Sequence, residues 1–154
     1  MDSISQFIWQ EADLLDHKRY REWLDLWDVD GKYVVPIDPD ATDFEDCLNY
    51  AYDNAAMRDM RVRRLTSGQS MSAAHAAQTL RTISRFVRLE DDRNGHICVR
   101  AAQNLVEYKF GKHRIYAANV TWRLKTDGDG FKIYEKVARL LNSEDALSGM
   151  TILL

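Results

Sequence analysis

Apolar positions in the first part of the chain recur at the spacing of amphipathic helices. The first apolar face is formed by Ile4, Phe7, Ile8, Ala12 and Leu15. Such spacing places side chains on one side of a helix and predicts that this side packs against a core. Ser3, with Gln6 three residues later, fits a capping box, so Ser3 is predicted to cap this helix.

A second helix is predicted from aromatic and leucine side chains that share one helical face: Tyr20, Trp23, Leu24 and Trp27. The polar run Asp28–Gly31 ends it, so both helices are predicted to lie within residues 3–28. Lys32–Ile37 then predicts a strand. Two prolines close to its end predict that Asp38–Asp46 is a loop, because proline lacks an amide donor and disfavours helix before it.

A third helix is predicted over residues 54–66, with Asp53 as its N-cap. Its buried stripe is predicted to consist of Met57, Met60 or Arg61, and Leu65. Asp59 and Arg63 are four residues apart, which favours an ion pair along the helix surface.

From residue 80 to residue 141 the pattern changes to the alternation of β-strands. Four long strands are predicted: Leu80–Leu89, His96–Phe110, Arg114–Lys125 and Phe131–Leu141. Asn94-Gly95 and Asp127-Gly128 lie between these runs and supply the positive φ angles of tight hairpins. Before them, Gly68 is predicted to end the third helix and Ser72–Gln78 to form a loop.

The connections between these strands are too short for crossover helices, so the sheet is predicted to be mostly antiparallel. Strands of ten or more residues exceed the usual ~5–6 and are expected to bend or carry bulges. Helices followed by a strongly curved sheet predict an α+β fold, with the helices packed on the concave side.

Size and charge restrict the classes of protein that fit. A chain of 154 residues with 45% hydrophobic content predicts one folded domain, residues 1–154. The net charge of −3 disfavours a nucleic-acid partner, and no apolar stretch reaches the ~20 residues of a membrane helix. Met1 to Ile4 lacks the layout of a signal peptide, which predicts the cytoplasm. Two cysteines are too few for a disulfide scaffold, and both are predicted to be reduced.

The residues that could hold a metal are scattered. Cys47 and Cys98 have no histidine downstream at the spacing of an iron–sulfur ligand pair. The four histidines occur singly along the chain: His17, His75, His96 and His113. Neither a nucleophile elbow nor a phosphate-binding glycine loop occurs. No metal, cofactor or catalytic residue is therefore assigned to this chain.

Two surface features stand out. Seven arginines form the single basic concentration: Arg58, Arg61, Arg63, Arg64, Arg81, Arg85 and Arg88. They fit either a solvated face or a subunit interface, where arginine is enriched. The tail at residues 149–154 ends in Ile152, Leu153 and Leu154, which predicts docking either on its own domain or between subunits.

The order of these blocks resembles the small (beta) subunit of aromatic-ring-hydroxylating dioxygenases. The resemblance rests on Glu11–Asp16, Tyr20, Trp23-Leu24, Asp30 and Tyr33–Pro36, and on Arg61–Gly68 further along. The sequence departs from the family pattern at Ala76–Arg81 and at Arg139–Asn142. Members share the cone-shaped, cystatin-like fold of the nuclear transport factor 2-like superfamily, to which SnoaL-like proteins also belong.

The resemblance implies a structural subunit without metals of its own. Three copies would form a trimer and bind three alpha subunits, giving an α3β3 hexamer. The alpha subunit would carry the Rieske [2Fe–2S] cluster, the mononuclear iron and the substrate pocket. The assembled enzyme would convert arenes to cis-dihydrodiols with O2 and electrons from NAD(P)H.

Enzymes and binding proteins of the same fold provide the alternative. Ketosteroid isomerase and scytalone dehydratase resemble this chain at the level of fold and act through polar groups inside the cone. A stand-alone isomerase or dehydratase would draw on Asp16, Tyr20, Asp30, Tyr33 and His96. Asp16 and Asp30 also fit helix ends, and the tyrosines fit core positions. A binder of an apolar ligand would use the same cavity without a base.

Overall fold

The computed structural model describes residues 2–67, 77–141 and 152–154. Three helices are present in this part of the chain: α1 (Ser3–Asp16), α2 (Tyr20–Asp25) and α3 (Ala55–Thr66). Six strands accompany them: β1 (Trp27–Pro36), β2 (Asn49–Asp53), β3 (Gln78–Arg88), β4 (Ile97–Lys109), β5 (Lys112–Asp127) and β6 (Gly130–Leu140).

The six strands form one curved sheet in the order β2-β1-β6-β5-β4-β3. All neighbours are antiparallel except β1 and β6, which run parallel. α1 packs against β3 and β6, and α3 packs against β1 and β2. The predicted α+β fold, with N-terminal helices on a mostly antiparallel sheet, is confirmed.

α1 begins one residue before the position that the predicted cap implies, because a different residue caps it. Asp2, not Ser3, is the N-cap, and its carboxylate accepts a hydrogen bond from the Ser5 amide at 2.8 Å. An aspartate is as good a cap as serine, and the chain enters the helix one residue earlier than the capping-box pattern suggests. The predicted apolar face is buried, with Ile8 fully enclosed.

The second helix is shorter than predicted, because Trp27 lies in β1 rather than in α2. The indole of Trp27 still packs edge-on against that of Trp23, with ring centroids 5.5 Å apart. Gly31 lies within β1 and does not break it. A Cβ at Gly31 would approach the Ile133 carbonyl oxygen to 2.7 Å, so glycine permits the close approach of β1 and β6.

α3 matches the predicted range, but its cap and its buried face do not. Asn54 is the N-cap and accepts the Met57 amide at 3.0 Å, whereas Asp53 pairs with Arg61. The side chains buried on α3 are Arg58 and Val62. Met57 and Met60 are exposed, so these two members of the predicted stripe are wrong, whereas Leu65 packs half-buried against the core.

One strand was not predicted at all. β2 pairs with β1 and forms one edge of the sheet. Pro36, the last residue of β1, pairs with Asn49 of β2 after a shift in the register. The predicted loop Asp38–Asp46 is confirmed, and it leads into β2. Residues 68–76 and 142–151 lie outside the described residues, and so do the predictions made for Gly68, His75, most of Ser72–Gln78 and residues 149–151.

The four long strands begin and end within two residues of the predicted bounds. Gly95, Gly111 and Gly128 adopt positive φ angles of 79°, 77° and 57° in the turns. The expected bulges are also present. One extra residue in β3 lies between Ser84 and Val87, and another in β6 lies opposite Arg123 and Leu124.

Candidate functional site

The interior of the cone contains a buried ion pair that the sequence did not single out. The Lys136 ammonium donates to Glu11 Oε2 at 2.9 Å, and each side chain is 1% exposed. Two indole N–H groups also donate hydrogen bonds to the Glu11 carboxylate. Trp23 Nε1 donates to Oε2 and Trp122 Nε1 donates to Oε1, each at 2.9 Å.

This arrangement occupies both oxygens of Glu11 with donors. Burial lowers the pKa of Lys136, and the neighbouring Glu11 carboxylate opposes that effect. Three internal donors occupy most of the roughly four acceptor sites of this carboxylate, which leaves little room for a hydrogen bond from a substrate. The pair therefore fits a structural role better than that of a general base.

The end of the described chain fills the space beside this pair. Leu153 and Leu154 are buried, and Lys136 Nζ donates to the Leu154 carbonyl oxygen at 2.7 Å. The Leu154 amide donates to Tyr33 Oη at 2.9 Å, and the Arg81 guanidinium donates to the Leu153 carbonyl oxygen. For these residues, the predicted docking is confirmed: they pack on their own domain, and burial of the tail between subunits stays a prediction.

Asp16 and Tyr20, two of the candidate catalytic residues, lie near this tail. Asp16 is the last residue of α1 and accepts the Arg81 amide at 2.8 Å and the Thr79 hydroxyl at 2.9 Å. Its carboxylate also forms an ion pair with the Arg81 guanidinium. Burial raises the pKa of Tyr20. The cavity between α1, β3 and the tail has a volume of about 10 Å³, about enough for one water.

The other candidates do not converge with these two residues. Tyr33 is buried, and desolvation raises the pKa of its phenol well above the usual value. Asp30 is exposed in β1, where its amide donates to Asp28 Oδ2, so its predicted place at a helix end is wrong. The five candidates thus do not line one common cavity.

His96 belongs to a separate cluster at the start of β4. Its Nδ1 lies 2.8 Å from Asp92 Oδ2, and its ring stacks on Tyr134 with centroids 4.1 Å apart. Burial alone would raise the pKa of Asp92, but hydrogen bonds from His96 and Asn94 lower it overall. His96 is buried rather than exposed at an edge, and it acts here as a packed and hydrogen-bonded residue.

The cysteines show no sign of activation. Both are free, as predicted; Cys47 is exposed and Cys98 is buried. Burial raises the pKa of the Cys98 thiol, which disfavours the reactive thiolate. Within residues 2–67, 77–141 and 152–154, no group of three or more His, Cys, Asp or Glu side chains could hold a metal ion. These residues therefore do not fit a Rieske cluster or a mononuclear iron.

The arginines predicted as one surface divide into separate sets. Arg58 and Arg81 are buried and bind backbone carbonyls, including Gly31 O at 2.6 Å from Arg58. Arg63 forms the predicted ion pair with Asp59 at 2.8 Å. Arg85 lies on the outer face of the sheet and donates to Asn119 Oδ1 at 3.2 Å.

Sequence similarity identifies the family of this chain. The sequence profile of the family described as "Ring hydroxylating beta subunit" matches residues 10–144, which include the second half of α1, both other described helices and all six described strands. The chain belongs to this family. The predicted recognition is confirmed, and so is the prediction of an oxygenase subunit that is not the catalytic one.

Relatives of this beta subunit cover nearly its whole length. It is 27% identical over 156 residues to the N,N-dimethyl phenylurea N-demethylase subunit beta of Sphingobium sp. (strain YBL2), covering 97% of this chain and 89% of that protein. It is also 27% identical to the anthranilate 1,2-dioxygenase small subunit of Acinetobacter baylyi, with 92% and 90% covered. Their names identify the first as the beta subunit of an N-demethylase and the second as the small subunit of a dioxygenase.

Solved structures confirm the fold of this beta subunit. The beta subunit of benzoate 1,2-dioxygenase from Burkholderia mallei has a TM-score of 0.77 at 24% identity, over 92% of this chain and 90% of that one. A chain of naphthalene 1,2-dioxygenase has a TM-score of 0.83 at 17% identity, over 97% and 83%. A nuclear transport factor 2-like protein with a cystatin-like fold, from Novosphingobium aromaticivorans, has a TM-score of 0.63 at 12% identity, over 96% and 88%.

In the described part of this beta subunit, no helix is both long and apolar enough to cross a membrane.

Proposed function

We propose that this chain is the structural subunit of an aromatic-ring-hydroxylating oxygenase and carries no catalytic, cofactor-binding or metal-binding residue. The observation that carries this proposal is the filled interior of the cone. Where an enzyme of this fold would need a substrate cavity, the chain places its own Leu153 and Leu154, held by Lys136, Tyr33 and Arg81.

The partner is an alpha subunit that supplies the chemistry. We propose that the Rieske [2Fe–2S] cluster and the mononuclear iron lie on that subunit, because the described residues of this chain offer no ligand set for either. Three copies of each subunit form the proposed α3β3 hexamer in the cytoplasm, with this chain as one domain. Neither a membrane nor a nucleic acid is a proposed partner.

The proposed reaction adds both atoms of O2 to an arene to give a cis-dihydrodiol, with electrons that originate in NAD(P)H. Several relatives are small subunits of ring dioxygenases, such as that of biphenyl 2,3-dioxygenase in Rhodococcus jostii, 34% identical over 60% of this chain and 54% of that protein. The N-demethylase relative favours a second candidate reaction, N-demethylation of an N,N-dimethyl phenylurea. In both cases the alpha subunit would select the substrate.

The stand-alone isomerase or dehydratase is the weaker alternative. Asp16 forms an ion pair, Asp30 is exposed, and the Tyr33 hydroxyl accepts the Leu154 amide. Among the described residues, the cavity beside the tail is about 10 Å³, well below the ~300 Å³ at the lower end of ligand pockets, so this cavity does not support a small-molecule binder.

Separate assays of the subunits test the proposal. Each purified subunit and their mixture are supplied with O2, reductase and arene, and product is measured per iron. The proposal predicts no product from this chain alone and turnover from the mixture. In mixtures made with Tyr33→Phe or Asp30→Ala, turnover per assembled complex should be unchanged. A folded variant that assembles fully but loses turnover would contradict a purely structural role.

A further inference from the structure

The outer face of β3, β4 and β5 is a broad surface left open by the described residues. Leu80, Val106 and Ile115 are cross-strand neighbours, and Leu80 and Ile115 are 66% and 68% exposed. The next outward row, Thr82, Asn104 and Ala117, has small or short side chains. A flat face with exposed aliphatic residues at one end is typical of a protein–protein contact.

The other end of this face is a basic groove, defined by Arg85, Arg100, Asn119 and Arg139. The groove has a volume of about 690 Å³, and Leu141 on its wall is 70% exposed. Arg85 belongs to it because of the β3 bulge. Strict alternation would turn Arg85 inward with Arg81 and Ile83, but the extra residue between Ser84 and Val87 places it on the outer face.

The arginines of the basic groove lack carboxylate partners among the described residues. Arg85 donates to the amide oxygen of Asn119, and Arg139 donates to the carbonyl oxygens of Pro39 and Ala41. Most other arginines of the described chain form ion pairs with carboxylates: Arg19–Glu22, Arg21–Asp59, Arg61–Asp53, Arg63–Asp59, Arg81–Asp16, Arg88–Asp91 and Arg123–Glu135. Among the residues that the structure describes, only Asp40 on the rim places a carboxylate at this positive charge.

The complementary charge is present on the loop between β1 and β2. This acidic loop, residues 38–46, contains Asp38, Asp40, Asp43, Glu45 and Asp46, all exposed. Its backbone is held in place by Arg139 at one end and by Asn49, which donates to the Phe44 carbonyl oxygen at 2.6 Å. Asp43, Glu45 and Asp46 form no ion pair with any other described residue.

We propose that the acidic loop of one copy of this chain binds the basic groove of the next copy, and that this contact assembles the beta-subunit ring. The inference rests on the proposed function and adds to it the surface and the residues of self-association. The loop and the groove are different surfaces of one copy, as a head-to-tail contact requires, and such a contact gives a closed ring of three when each copy is rotated by a third of a turn.

The available area fits this arrangement. Three strands spaced ~4.8 Å apart and ~11 residues long give roughly 500 Å² of flat surface, against about 800 Å² per partner in a standard interface. The acidic loop, with Leu48 81% exposed at its end, supplies further area to the same contact.

Charge reversal tests the proposal directly. The oligomeric state of the purified chain is measured by sedimentation velocity for the wild type, Arg85→Glu/Arg100→Glu, Asp43→Lys/Glu45→Lys, and the variant with all four changes. Each double variant should weaken self-association by about 100-fold or more, because like charges then face each other. The fourfold variant restores opposite charges and should regain the oligomer.

The matched control is Arg64→Glu/Arg93→Glu, which changes the net charge by the same amount at two exposed positions outside the groove. It should retain the oligomer, and circular dichroism checks that every variant is folded. The proposal is overturned by a wild-type chain that stays monomeric, by a control that dissociates equally, or by a folded fourfold variant that remains dissociated. If one of these three outcomes is observed and the chain still binds the alpha subunit, the inference about self-association fails while the proposed function stands.

Discussion

Breaking the buried ion pair by Lys136→Met should destabilise the fold strongly. The substitution keeps a long apolar side chain but removes the donor to Glu11 Oε2 at 2.9 Å and the donor to the Leu154 carbonyl oxygen at 2.7 Å. Glu11 would keep its two indole donors, but its charge would be buried without a counter-ion. Removing one partner of a buried pair costs about 3–5 kcal/mol of unfolding free energy.

Urea unfolding followed by tryptophan fluorescence measures this loss. Trp23 and Trp122 donate directly to Glu11, so their emission reports on the site itself. The matched control is Lys125→Met, which removes an exposed lysine 3.4 Å from Asp28 and should cost no more than about 1 kcal/mol.

The double variant Glu11→Gln/Lys136→Met separates the charge pair from simple packing. Neutralising both partners removes the unpaired charge, so its loss should be smaller than the sum of the single losses by about 2 kcal/mol. A Lys136→Met loss equal to that of Lys125→Met, or strict additivity in the double variant, would refute the assignment of a coupled buried pair.

Three further predictions follow from particular contacts. Leu154→Ala should lower the unfolding free energy by about 2–5 kcal/mol in urea titrations, because it leaves a cavity in the core; a smaller loss would contradict the docked tail. Val62→Ala, in the buried side of α3, should be clearly destabilising in thermal melts, whereas Met60→Ala should change stability by less than about 0.5 kcal/mol; equal effects would contradict the observed helix face. The folded-state pKa of Asp92 lies below 3.8, so its contribution to the unfolding free energy is present above that pH and is lost as the pH falls through the folded-state pKa. When the unfolding free energy is measured against pH, Asp92→Asn should lose less of it below about pH 4 than the wild type does. Parallel curves for the two proteins would contradict this.

The long strands could be predicted because their local signals agree. Alternation along residues 116–124 is unbroken, and glycine in the turns permits the positive φ angles that short hairpins need. The helix at 3–16 was likewise visible from its apolar spacing, and the range 55–66 was predicted closely, although both predicted caps lie one residue from the observed caps. Where the residues of an element all favour the same structure, the sequence alone is sufficient to predict that element.

The missed features depend on contacts between distant residues. Trp27 lies at a helical spacing from Trp23, but it adopts strand conformation because β1 pairs in parallel with β6. β2 is short, and its pairing with β1 gives it its conformation. Arg58 has a charged side chain and was expected on the surface. It is buried because its guanidinium binds backbone carbonyls and lies 4.1 Å from the centroid of the Trp27 ring.

Bulges explain why the central polar residues could not be predicted. In β6 the sequence alternation places Ile133, Glu135 and Val137 on one face. One extra residue opposite Arg123 and Leu124 interrupts that alternation, so Ile133 and Lys136 both point into the core while Glu135 lies on the other face. Lys136 and its partner Glu11 are 125 residues apart, and no local signal connects them.

The central claim is that this chain supports an oxygenase whose metals lie on another subunit. The most direct test is affinity purification of the tagged chain from its native organism, followed by native mass spectrometry and analysis of iron and labile sulfide. The account predicts an equimolar larger subunit, with iron and sulfide that remain with that subunit when the two are separated. Recovery of an iron-free assembly of this chain alone, active on a small molecule, would contradict it.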